Sequence, residues 1–119
     1  MARIRREYPY LVAEQAGQVL GYAYFDRFNT RSAYRYTVDL SIYLSRESCH
    51  LGIGEHLLEE LEIAGRQAGF RQVISLVTDE NEASLRFHRC HGFSQAGHLP
   101  EVGEKFGRKI GIFFFQKAL

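Results

Sequence analysis

Two runs near the start of the chain, residues 10–15 and 19–25, are rich in apolar side chains, and the Ala16-Gly17 pair between them predicts a β-hairpin. Residues 26–32 are polar and read as a loop. Alternation follows over residues 34–44, with Tyr34, Tyr36, Val38, Leu40 and Ile42 on one face and Arg35, Thr37, Asp39, Ser41 and Tyr43 on the other. That pattern predicts one long strand whose second face mixes polar groups with an aromatic ring, as a cleft wall would. The period then changes. Leu57, Leu58, Leu61, Ala64 and Ala68 recur at helical spacing, with Glu55, Glu59, Glu60, Glu62, Arg66 and Gln67 largely between them, which is an amphipathic helix closed by Gly69. Residues 72–77 form a compact apolar strand and residues 78–81 a polar turn, from which Asn81 caps a second helix over residues 82–90 that ends at Gly92. Residues 93–99 and 110–117 read as two final strands joined by a glycine-containing loop. Consecutive Phe113, Phe114 and Phe115 predict a last strand covered on both faces.

The order β-β-β-α-β-α-β-β predicts a single α/β (α+β layered) domain over residues 1–119. A crossover helix after the long strand implies at least one parallel pair, so the sheet is mixed rather than doubly wound.

The junction between the long strand and the first helix concentrates the candidate chemistry. Residues 45–50 are polar and force a turn, and Gly52 and Gly54 follow. The first N–H groups of a helix have no partners within it, and glycine leaves no Cβ in the way of an approaching oxygen, so this N-terminus can hold a phosphate. The same glycines would equally serve to ease a tight strand-to-helix turn. The spacing matches neither G-x-x-x-x-G-K-[ST] nor G-x-G-x-x-G. Asp39 is conspicuous because Asp is disfavoured in mid-strand. It is either a half-exposed residue on a solvated face or a group with a task.

At 119 residues and 45% hydrophobic, the chain suits one small domain. Its 15 basic and 14 acidic side chains nearly cancel, so no overall field argues for nucleic acid or a membrane surface as partner. Arg3, Arg5 and Arg6 read as a solvated terminus. With no signal peptide and no bilayer-length apolar run, the expected location is the cytoplasm. Cys49-His50 and Cys90-His91 could supply metal ligands, but adjacent pairs lack the two-to-four-residue spacing of structural zinc sites, so no metal is expected.

Taken in order, YPYLVAE (residues 8–14), VLGYAYF (19–25), AYRYTVDLSIYL (33–44), LGIGEHLLEEL (51–61), NEASLRFHRCHGF (81–93) and GHLPEVGEKFGRK (97–109) resemble the GCN5-related N-acetyltransferase (GNAT) superfamily. Within it, the chain is similar to the phosphinothricin (methionine sulfoximine) acetyltransferase branch. The resemblance implies a GNAT-like mixed, mostly antiparallel sheet with a parallel pair and helices packed on it. It implies acetyl-CoA as co-substrate, its pyrophosphate held by backbone N–H groups of the turn His50, Leu51, Gly52, Ile53, Gly54 and Glu55. The strand amides of Ile42, Tyr43 and Leu44 would bond the pantetheine arm and stabilise the oxyanion, and Asn81 would add a further cofactor contact. Asp39 stands where the branch usually has the Glu that accepts the amine proton, and His88 stands near the CoA sulfur, where it could return a proton to the thiolate. Arg35, Tyr36 and Thr37 would lie near the acceptor.

The chain also departs from the branch. Cys49 replaces the usual Gln or Arg before the glycines, Asp39 is one methylene shorter than Glu, and Lys109, Ile110 and Gly111 follow where Trp-Leu-Asp is usual. The N-terminal strand and helices that precede residues 8–14 in relatives are absent, which would leave an edge strand exposed and predicts a homodimer. The implied function is an acetyl-CoA-dependent N-acetyltransferase that acts by direct transfer on the primary amine of a small amino-acid-like substrate of the phosphinothricin or methionine sulfoximine type. A polyamine, an aminoglycoside-like drug or a protein N-terminus are other acceptors compatible with the fold. From a different class, the chain could be a non-catalytic CoA-binding or dimerising remnant of an acetyltransferase.

Overall fold

The computed structural model describes residues 2–5, 8–45 and 52–119. Its strands are β1 (Ala2–Arg5), β2 (Tyr8–Gln15), β3 (Gln18–Arg27), β4 (Thr37–Leu44), β5 (Gln72–Thr78), β6 (Ser94–Lys105) and β7 (Arg108–Ala118). Helix α1 (Ile53–Gln67) lies between β4 and β5, and α2 (Glu82–Cys90) between β5 and β6. All seven strands join one sheet in the order β1-β2-β3-β4-β5-β7-β6, antiparallel everywhere except between β4 and β5. The expected mixed sheet with one parallel pair is therefore present.

Register decides which side chains are buried. Leu11, Ala23, Phe25, Val38, Leu40, Val73, Val77 and Phe115 share one face, where Leu57, Leu58 and Leu61 of α1 and Leu85 of α2 complete a single core. The opposite face carries Tyr10, Tyr22, Tyr24, Asp26, Asp39, Ser41 and Tyr43, and among the described residues no helix lies over it.

Local details differ from the sequence reading. Strand β4 begins at Thr37, not at residue 34: Ser32–Tyr34 is a 3-10 turn, and Arg35 donates a side-chain hydrogen bond back to the Ser32 carbonyl at 2.7 Å. The Tyr34–Tyr36 alternation mimicked a strand, but Tyr34 is exposed and packs edge-on against Phe28, whereas the Tyr36 ring lies under the guanidinium groups of Arg35 and Arg71. Strand β3 runs on through Asp26 and Arg27, which the sequence assigned to a loop. Half of the edge expected to be bare is covered, because Ala2–Arg5 pairs with Leu11–Tyr8. The last two strands extend to a tight turn at Phe106-Gly107, where both residues have positive φ, as a hairpin of matching twist requires. Of the three consecutive phenylalanines only Phe115 is fully buried.

Gly21 sets how closely β3 can approach the end of β4. A Cβ there would stand 2.7 Å from the Tyr43 carbonyl oxygen and 2.8 Å from a Leu44 methyl. Gly21→Ala is expected to cost about 1–3 kcal/mol, because one of the obstacles is backbone that cannot turn aside. Urea unfolding would measure this, and a wild-type midpoint would contradict it.

Candidate active site

The sheet parts in its middle. Strands β4 and β5 pair only through Thr37–Gln72, Val38–Val73 and Asp39–Ile74, after which they separate while β4 stays bonded to β3 as far as Leu44. The edge of β4 beyond Asp39 thus faces a cleft instead of a neighbouring strand. Its polar part, about 220 Å³, is lined by Ser41, Ile42, Ser75, Asn81, Ser84 and His88 among others. A more apolar part of about 360 Å³ adjoins it, formed by Ile42, Tyr43, Leu44, Ala83 and Phe87 and sharing Asn81 and Ser84. Ile42, Tyr43 and Leu44 therefore line the cleft, as does Asn81, two of the places where sequence reasoning put cofactor contacts.

Helix α1 opens at the mouth of this cleft. Gly52 is its N-cap in the left-handed region (φ 73°), with no side-chain cap, and Glu55 is the acidic residue of its first turn. The N–H groups of Ile53, Gly54 and Glu55 have no carbonyl four residues back within the helix, whereas His56 N–H bonds Gly52 O at 3.1 Å. Gly54 is needed for packing: a Cβ there would meet Leu44 Cδ1 at 3.0 Å and Phe87 Cε1 at 3.2 Å. The Ile53 side chain points elsewhere, toward a 420 Å³ groove against β2, so only its backbone could serve a phosphate. Glu55 likewise has only its N–H to offer, since its carboxylate would repel one. His50, Leu51 and Cys49 lie outside the described residues. Asn81 caps α2 as expected, its Oδ1 accepting Ser84 N–H at 3.1 Å, which leaves its amide NH₂ for another partner.

Asp39 sits where the strands part, on the uncovered face. Its Oδ1 is enclosed and has no hydrogen-bond partner. Burial, reinforced by the neighbouring Asp26 carboxylate, raises its pKa to about 6. Thr37 shares this face two residues earlier, but Arg35 and Tyr36 precede the strand and stack on each other, so the three expected acceptor residues do not form one strand surface.

His88 is on the other side. It is not a helix-surface residue but part of the core, 1% exposed, its ring stacked on Phe115 and edge-on to Phe93. Its Nδ1 lies 2.7 Å from the Ser84 carbonyl and so carries the hydrogen, which leaves Nε2 to accept the Ser75 hydroxyl at 2.8 Å. Burial pushes its pKa below the ordinary histidine value, against the opposing pull of the Ser84 carbonyl. Ser75, which the sequence reading passed over, is 4% exposed and lines the cleft beside it. A lone hydroxyl in the apolar run Val73–Val77 was the available signal. Among the described residues, no group of three or more His, Cys, Asp or Glu side chains could hold a metal ion.

A sequence profile of the acetyltransferase (GNAT) family matches residues 2–93. The chain belongs to the GNAT acetyltransferase family. It is 45% identical to a phosphinothricin N-acetyltransferase of Alcaligenes faecalis over 93% of this chain, but it spans only 57% of that relative's length. It is 38% identical to an L-methionine sulfoximine/L-methionine sulfone acetyltransferase of Pseudomonas paraeruginosa, over 99% of this chain and 69% of the relative. The crystal structure of a GNAT superfamily phosphinothricin acetyltransferase from Sinorhizobium meliloti in complex with acetyl-CoA superposes with a TM-score of 0.87 at 42% identity, covering 94% of this chain and 61% of that one. No described helix is long and apolar enough to cross a membrane.

Proposed function

We propose that this GNAT chain is an acetyl-CoA-dependent N-acetyltransferase acting by direct transfer on the primary amine of a small molecule. The observation that carries the reading is the distribution of groups around the parted strands: a half-buried carboxylate whose Oδ1 has no donor on one face of the sheet, and on the other a Ser–His pair that lines the cleft. The residues fit the co-substrate. The unpaired edge of β4 offers backbone N–H groups to an acyl and pantetheine chain, and the start of α1 offers N–H groups and the positive end of its dipole to phosphate. Bound there, acetyl-CoA supplies an acetyl group on a thiol leaving group.

Asp39 removes a proton from the acceptor ammonium on the uncovered face, which its elevated pKa suits near neutrality. His88, with both ring nitrogens engaged, does not hand over a proton directly. It holds the Ser75 hydroxyl in place at the base of the cleft, and any proton passing to a departing thiolate there passes through Ser75 or solvent. The names of the relatives make amino-acid-like amines such as phosphinothricin and methionine sulfoximine the first acceptors to assay.

Thermal unfolding with and without acetyl-CoA tests the cofactor half of this reading. A ligand that binds only the folded chain adds about 2.7 kcal/mol of stability at a hundredfold excess over its Kd, a rise of several degrees in Tm. No rise at saturating acetyl-CoA would overturn the reading. A rise without thiol release for any amine would favour the CoA-binding remnant instead. Cytoplasmic location and a homodimer belong to the same proposal, and sedimentation velocity reads the second.

A further inference from the structure

Ser75 is the first residue of β5 beyond the last rung shared with β4, Asp39–Ile74. It stands opposite Phe115 on β7, so its side chain turns to the helix-covered face, away from Asp39. The hydroxyl is buried and bonds Nε2 of His88 at 2.8 Å. His88 fixes the direction of that bond. Its Nδ1 carries the hydrogen toward the Ser84 carbonyl at 2.7 Å, so Nε2 can only accept, and the one hydrogen of the Ser75 hydroxyl is turned to the imidazole. What Ser75 offers the cleft it lines is therefore an oxygen lone pair. A buried acceptor left without a donor costs free energy, and a site that presents one favours ligands with a hydrogen to give over analogues of the same shape without it. An acetyl group has none.

We infer that Ser75 extends the acyl donors of this chain to short 2-hydroxyacyl thioesters of CoA, its oxygen accepting a hydrogen bond from a hydroxyl on the carbon next to the thioester carbonyl. This rests on the N-acetyltransferase reading and widens its donor. With the phosphates at the start of α1 and the arm along the free edge of β4, the acyl end of a CoA thioester arrives where β4 and β5 close, beside Leu40 and Ser41 on one strand and Ser75 on the other. The acyl hydroxyl takes no part in the bond changes. The acceptor ammonium gives one proton to Asp39, its nitrogen forms the C–N bond as the C–S bond breaks, and the second proton it sheds balances protonation of the thiolate.

Glycolyl-CoA and propionyl-CoA carry acyl groups of nearly one size, the first ending in a hydroxyl and the second in a methyl. The test compares them in thiol release with L-methionine sulfoximine as acceptor and, without acceptor, in calorimetric titration. Glycolyl-CoA is expected to lead by roughly tenfold in both kcat/KM and affinity, and Ser75→Ala to bring both ratios close to one. Each ratio cancels whatever the substitution does to His88 or to the fold, which acts on both donors alike. A wild-type chain that treats the two alike or prefers propionyl-CoA, or ratios unmoved by Ser75→Ala, would overturn the inference. Should Ser75→Ala not fold, Ser75→Thr and Ser75→Val, which differ only in hydroxyl against methyl, take its place: the preference is expected in the first and not in the second, and equal ratios in both overturn the inference. Thiol release from acetyl-CoA without a glycolyl preference sinks the inference alone. No release from any thioester sinks the N-acetyltransferase reading, and the titration then decides the inference, a glycolyl preference that Ser75→Ala removes sustaining it and any other result overturning it.

Discussion

Asp39→Asn is expected to lower acetyl transfer by about a hundredfold or more while making the chain harder to unfold. The two effects have one origin. Asp39 holds a half-buried carboxylate whose Oδ1 is enclosed without a donor and which has Asp26 opposite, an arrangement unfavourable for folding and useful to a base. An amide of the same shape removes the charge, with a gain of about 1 kcal/mol and a few degrees in Tm, kept small because Asp39 is only half-buried. The pH dependence follows from the direction of its shift. In the folded chain Asp39 binds its proton more tightly than in the unfolded one, so the stability it contributes is full below the ordinary carboxylate value and is lost as pH rises through about 6. The advantage of Asp39→Asn is therefore largest above pH 6 and fades toward pH 4. For the wild-type chain, kcat/KM should fall on the acid side of the same value. Melting curves from pH 4 to 8 beside rate profiles check both, and a variant with wild-type turnover would remove Asp39 from the reaction.

His88→Ala is the substitution with the largest expected cost to the fold, about 3–5 kcal/mol. It empties a core position packed on Phe115 and Phe93 and strands two polar groups, the Ser75 hydroxyl and the Ser84 carbonyl. Against a typical total of about 5–15 kcal/mol, such a loss leaves the chain marginal. His88→Phe separates packing from polarity, since it refills the volume but restores neither hydrogen bond, and should recover part of the stability only. The histidine also has a pH signature opposite to that of Asp39. Its folded-state pKa is lowered by burial, so its stabilisation is full above the ordinary histidine value of about 6.5 and declines as pH falls through it. Acidification from pH 7 should consequently destabilise Asp39→Asn more steeply than the wild-type chain, in which the two groups offset each other. Urea titrations at pH 5 and 7 measure the difference.

Long periodic segments were legible from the sequence alone. The period-3.6 stripe of Leu57, Leu58 and Leu61, the Asn81 cap and the Ala16-Gly17 hairpin turn all have local causes, and each is found where expected. The start of β4 was not legible, because the Tyr34–Tyr36 alternation fits a strand in sequence although Ser32–Tyr34 is a 3-10 turn, and the stacking of Arg71 on Tyr36 comes from a residue far away in the chain. Asp26 was assigned to a loop since its polarity outweighed its neighbours. What keeps it in β3 is the ladder to β4, a contact across thirteen positions that no local pattern encodes. Of the candidate site, Asp39 and the glycine turn stood out from the residues themselves, and the GNAT resemblance supplied their expected roles and that of Asn81 as a cofactor contact. The burial of His88 and its bond to Ser75 depend on how α2 packs against β5 and β7, which periodicity within α2 does not specify.

The three-rung ladder between β4 and β5 is also a mechanical joint. On one side of it β1 to β4 form a plate backed by α1, and on the other β5, β7 and β6 form a second plate backed by α2. Few main-chain bonds tie the plates along that seam, so a molecule lodged in it acts as a wedge and an adhesive at once, contacting both plates where the backbone has ceased to. Occupancy of the cleft should then be felt as stiffness across the whole sheet rather than as a local change at its mouth.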